Sequence, residues 1–90
     1  MLNLAFVKEK EALDSTLKKI GAKLKDLRVK LGYTSHEDFA YDHDIPRMQY
    51  WRIEKGKANL TMKSLSRLLA IHKMTIQEFF IVLGKESKSR

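Results

Sequence analysis

The sequence predicts an all-α fold of five helices in one small domain, and three observations carry that prediction. Apolar residues recur at spacings of three and four along most of the chain. No stretch alternates apolar and polar residues as a half-buried strand would. Residues that start helices (Ser35, Pro46, Thr61, Thr75) and residues that stop them (Gly32, Gly56) divide the chain at helix-sized intervals. A chain of 90 residues is long enough for one domain and short for a second core.

Leu13, Leu17, Ile20, Leu24, Leu27 and Leu31 lie on one face of a first helix, which Gly32 stops. Phe6 lies one heptad before Leu13, so the stripe can extend toward the N-terminus, although Lys10 occupies the intervening position and Asp14, Ser15 and Thr16 offer N-caps for a later start. Residues 1–14 are read as an N-terminal arm or helix, either separate or a helical extension, ahead of a domain spanning 15–84. A second helix starts at Ser35, whose hydroxyl can accept from the backbone N–H near Asp38, and Glu37 and Asp38 suit the positive end of its dipole. Phe39 and Ala40 face inward.

A short turn at His43–Ile45 leads to a third helix over 46–55. Pro46 is suited to its first turn and Gly56 to its stop. Tyr50 and Ile53 point inward, whereas Arg47, Met48 and Arg52 fall on another face. Thr61 caps a fourth helix carrying Met62, Leu65, Leu68 and Leu69, which ends near Lys73. Thr75 with Glu78 forms a capping box for the fifth, Met74 and Phe79 form a staple, and Phe79, Phe80 and Leu83 close the core. The polar run 85–90 reads as a frayed, flexible tail.

Composition narrows the function classes. The absence of cysteine excludes a disulfide framework and a thiolate metal site and fits a reducing cytoplasm. The longest apolar run, Phe79–Leu83, is far too short to span a bilayer, and no signal peptide or membrane anchor is expected. No glycine-rich phosphate loop, cysteine nucleophile or Ser-His-Asp signature supports an enzyme, and no third ligand joins His43 or His72 in a metal site. No cofactor is expected.

The formal charge of +7 favours polyanionic partners. It is unevenly spread. Residues 33–44 carry four acids and no Lys or Arg, whereas residues 46–63 carry Arg47, Arg52, Lys55, Lys57 and Lys63 against Glu54 alone. Two helices joined by a short turn, the second of them basic, form the generic arrangement for putting a helix in a DNA major groove, although other helical bundles share it.

The residues themselves resemble the phage-repressor-like helix-turn-helix regulators, the Cro and xenobiotic-response-element class, from about Leu17 to Phe80. The likeness is carried by Leu27-Arg28 with Gly32, then Ser35-His36-Glu37-Asp38-Phe39-Ala40, then Arg52-Ile53-Glu54-Lys55-Gly56. Thr75-Ile76-Gln77-Glu78-Phe79-Phe80 adds to it. The resemblance implies a repressor-like, cytoplasmic and nucleoid-associated transcriptional regulator of double-stranded DNA. By position it implies that Arg47, Met48 and Arg52, with Gln49 as a weaker candidate, read base edges. It also implies that His36 and Lys55 contact phosphate, with Lys57 and Asn59 reaching the backbone or staying in water. Arg28 and Glu54 match an internal ion pair of the family, read as structural.

The departures are Asp44 for the usual turn glycine, His43 and His72 for leucines, and Trp51 for a small or polar residue. The rival reading is a protein-interaction module such as the antitoxin of a toxin-antitoxin pair, favoured by the acidic second helix, Trp51 and the N-terminal stripe with Phe6. The same features fit a homodimer on a two-fold operator with half-sites roughly 34 Å apart. A membrane-surface role for the basic first helix ranks third, because its apolar face serves the core better.

Overall fold

The computed structural model describes residues 4–88, and over these residues the chain is helical with no strand. Its helices are α1 (Leu4–Lys30), α2 (His36–Asp42), α3 (Arg47–Glu54), α4 (Met62–Ile71) and α5 (Ile76–Lys88). They fall into two compact units, one reaching to Asn59 and holding α1 to α3, the other starting at Leu60 and holding α4 and α5.

In the first unit α1 runs for 27 residues without a break, so Asp14, Ser15 and Thr16 cap nothing and residues 4–14 are not a separate helix. Neither Gly nor Pro occurs between Leu4 and Ile20 to interrupt it, and Lys10 bridges Asp14 one turn on at 3.2 Å. Residues 1–3 of the expected arm lie outside the described residues. The apolar stripe is buried only in its centre, at Ile20 and Leu24, while Leu13 and Leu31 at its ends remain 48% and 49% exposed.

All four inter-helix exits use one device. At Gly32, Asp44, Gly56 and Lys73 the backbone takes a positive φ of 102°, 57°, 72° and 57°. The following N–H reaches back into the last turn: Tyr33 to the Arg28 carbonyl, Ile45 to Ala40, Lys57 to Arg52 and Met74 to Leu69. This pattern satisfies the carbonyls that a helix end leaves open. Asp44 thus occupies the left-handed position usually given to glycine, as a short polar side chain can, and Lys73 does the same without that chemical excuse.

Ser35 caps α2, its hydroxyl accepting from the N–H groups of Glu37 and Asp38. Pro46 sits at the N-cap of α3 rather than inside its first turn. Phe39 and Tyr50 stack at 4.9 Å between centroids and are fully buried with Ala40 and Ile53. The sequence did not flag how α3 seats on α1. A Cβ at Gly21 would lie 2.8 Å from the Glu54 carbonyl carbon and closer still to the Ile53 and Glu54 oxygens, and one at Gly56 would lie 2.7 Å from the Lys18 Cα. Both glycines let the end of α3 approach the α1 backbone. Gly21→Ala, though it favours an isolated helix, is therefore expected to cost about 1–3 kcal/mol by forcing the helices apart. A urea titration should show the midpoint falling with the slope unchanged.

In the second unit Thr61 caps α4 through the Ser64 N–H, and the Thr75–Glu78 box is reciprocal, at 2.8 and 3.1 Å. Leu65, Leu68, Leu69, Phe79 and Leu83 are buried. Two expected core residues are not. Phe80 is 38% exposed, because it stands about 100° around the helix from Phe79, which pairs with Leu83 one turn on. Met62 is exposed because it opens α4 and has no preceding turn to lie against. Helix α5 continues through Gly84 to Lys88, over part of the stretch read as a tail, while Ser89 and Arg90 lie outside the described residues.

Candidate nucleic-acid interface

The inner face of α3 is fixed by charge as well as by packing. Arg28 Nε donates to Glu54 Oε2 at 2.7 Å and Nη2 to Glu54 Oε1 at 3.1 Å, while Nη1 donates to the Tyr33 carbonyl at 2.9 Å. Both side chains are buried, 4% and 5% exposed. A two-point guanidinium–carboxylate clasp sets the rotation of α3 as well as its distance from α1. The hydrogen bonds that Arg28 donates to Glu54 raise its pKa, outweighing desolvation, so the guanidinium stays charged.

Tyr50 lies on the same inner face with its hydroxyl buried and lacking a hydrogen-bond partner within the described residues. Burial first, and the nearby Glu54 carboxylate second, push this hydroxyl well above the ordinary tyrosine range. In the unfolded chain Tyr50 loses its proton near pH 10. The folded pKa is higher, so this stability is present below pH 10 and is lost as pH rises beyond it. Tyr50→Phe is expected to leave stability at neutral pH nearly unchanged and to flatten its alkaline decline, measured as melting temperature from pH 7 to 11.

With Tyr50, Ile53 and Glu54 turned inward, Arg47, Met48, Gln49 and Arg52 are exposed on α3. Met48 and Arg52 are one turn apart, and Lys55, at the C-cap, extends the row. Met48 is 58% exposed, a large apolar side chain among cations. One of the two arginines is held by a hydrogen bond and the other faces a carboxylate at ion-pair distance. Arg52 Nη2 donates to the Lys57 carbonyl at 2.9 Å, and Arg47 Nη1 lies 3.8 Å from Glu37 Oε2. Lys57 itself is exposed, its ammonium 5.5 Å above the Trp51 ring, which is half-buried. Among the phosphate candidates His36 is half-buried as the first residue of α2, and Lys55 and Asn59 are exposed.

Glu37, one of the acids of the second helix, thus has a partner in Arg47, and Trp51, the departure that also fits a protein contact, has one in Lys57. The Glu37–Arg47 pairing joins separate helices and leaves no spacing signal in the chain. His43 is neither deep core nor free surface: half-buried, it lies 4.6 Å from the Phe39 ring and 5.9 Å from Tyr33. Among the described residues no group of three His, Cys, Asp or Glu side chains could hold a metal ion, and no helix is long and apolar enough to cross a membrane.

The chain is 37% identical over 68 residues to control protein C.MunI of Mycoplasma sp., a match covering 76% of this chain and 92% of that protein. The chain belongs to this control-protein family. Nearly the whole of the relative is spanned, so membership rests on more than one shared helix pair. No family model and no solved structure matches the chain. In this control-protein family member the inward face of α3 carries the fold, and its outward face is exposed.

Proposed function

We propose that this control-protein family member is a sequence-specific double-stranded DNA-binding regulator of transcription of the Cro and xenobiotic-response-element class. In this reading α2 and α3 act as its helix-turn-helix, and α3 enters the major groove. The observation that supports it best is the exposed row Arg47, Met48, Gln49 and Arg52 on a helix whose other face is clasped by Arg28. A groove-entering element must be rigid and must present donors outward.

Arg47 and Arg52 are suited to bidentate contact with guanine, Met48 to a thymine methyl, and Gln49 to an adenine edge. His36, Lys55, Lys57 and Asn59 hold the flanking phosphates, which position the protein without reading sequence. The regulator acts as a homodimer on a two-fold operator, in the cytoplasm and without a cofactor, and represses.

The test is selection from a random-sequence DNA pool at physiological salt, followed by sequencing of the retained fraction. A palindromic motif that is lost in Arg47→Ala/Arg52→Ala supports the reading and its symmetry together. Weak, salt-sensitive retention with no motif would leave only charge. Capture of a protein partner in its place would favour the antitoxin-like alternative.

A further inference from the structure

Arg47 and Arg52 are both exposed, yet each has an oxygen acceptor close to its guanidinium. Arg52 is tied to the Lys57 carbonyl, which the left-handed Gly56 presents to it. Arg47 faces Glu37, and Glu37 is itself held: its N–H donates to Ser35 Oγ at 3.1 Å, and Ser35 Oγ donates to Glu37 Oε1 at 3.2 Å. The second oxygen, Oε2, lies 3.8 Å from Arg47 Nη1. The result is a chain from Ser35 through Glu37 to Arg47 that links the cap of α2 to the first residue of α3.

We propose that Glu37 is a specificity-determining residue of the DNA-reading surface, a positioning residue that orients the Arg47 guanidinium toward base edges and withholds it from phosphates. The inference rests on the DNA-reading function proposed above. Two physical effects act together. A carboxylate beside the guanidinium reduces the rotamer freedom that Arg47 must lose on binding, a cost otherwise borne by every bidentate contact. The same carboxylate repels phosphate, so a nonspecific complex that would place Arg47 on the backbone must bring two anions together. Both effects favour base contact over backbone contact. Because the pair is exposed, 62% and 55%, it biases Arg47 without locking it, so DNA can still draw the side chain into the groove.

The test compares wild type, Glu37→Gln and Asp38→Asn by selection from the random DNA pool and by titration on the selected site and on unrelated DNA over a salt series. Asp38 is an exposed acid in the same first turn and controls for loss of charge and for any effect on α2 stability, which thermal unfolding checks. Glu37→Gln is expected to tighten nonspecific binding and raise its salt slope by about one, lowering the specific-to-nonspecific ratio by about three- to ten-fold. It should also relax base preference at the position that Arg47→Ala relaxes, whereas Asp38→Asn keeps the preference of wild type.

Equal tightening on both DNAs with unchanged preferences in Glu37→Gln would overturn the proposal, leaving Glu37 as bulk charge while the DNA-reading function stands. If wild type itself enriches no motif, the DNA-reading function fails and this inference with it.

Discussion

Glu54→Gln is expected to lower the stability of the first unit by about 3–5 kcal/mol, and Arg28→Ala by a similar amount. Each change leaves a buried partner without its counter-charge. In Glu54→Gln the Arg28 guanidinium keeps the Tyr33 carbonyl but faces a neutral amide where two charge-assisted bonds stood. The loss is large because both side chains are 4–5% exposed, so water cannot replace the missing partner. It reflects stranding rather than the net worth of the pair. Replacing both residues at once, as in Arg28→Met/Glu54→Leu, should therefore recover much of the stability, which separates a desolvation effect from a unique need for charge. Urea unfolding of the two single variants and the double variant makes the measurement. If Glu54→Gln cost less than about 1 kcal/mol, the clasp would be behaving as an exposed pair.

The second large effect concerns binding. Arg47→Ala and Arg52→Ala are each expected to weaken binding to the selected site by about 1–3 kcal/mol, the discrimination carried by one bidentate base contact. Binding to unrelated DNA should change little. Lys55→Ala should weaken both alike and lower the salt slope by about one, because a phosphate contact releases counterions without reading sequence. Titrations on both DNAs over a salt series distinguish the two classes. If all three variants lost affinity in parallel on both DNAs, the division between readers and anchors would be wrong. Unlike Glu54→Gln, these changes lie on the exposed face and should leave the unfolding midpoint nearly unchanged.

The parts of this fold that were legible in the sequence are those set by local chemistry. Ser35, Thr61 and the Thr75–Glu78 box start helices because a side-chain oxygen meets an open N–H two or three residues on, and Gly32 and Gly56 stop them because few residues tolerate a positive φ. The inward set Phe39, Ala40, Tyr50 and Ile53 followed from helical periodicity, and so did the outward row of α3. Family resemblance supplied the residue pair Arg28 and Glu54, and the structure supplied its two-point geometry.

The sequence failed where competing residues stood side by side or where the partner was remote in the chain. Cap-forming residues at 14–16 suggested a break in α1, but caps act only where a helix has reason to begin, and nothing before Asp14 ends one. Phe79 and Phe80 both read as core, and only one of two adjacent helical positions can face the same way.

By itself, the sequence determined the all-helical class and where most helices start and stop, which depend on neighbours within about one helical turn, and the basic, cysteine-free composition that directs attention to polyanions. Tertiary structure alone decided that Gly21 admits the end of α3 and that Glu37 reaches Arg47 from another helix. Those contacts depend on how separate helices meet, which no local spacing records.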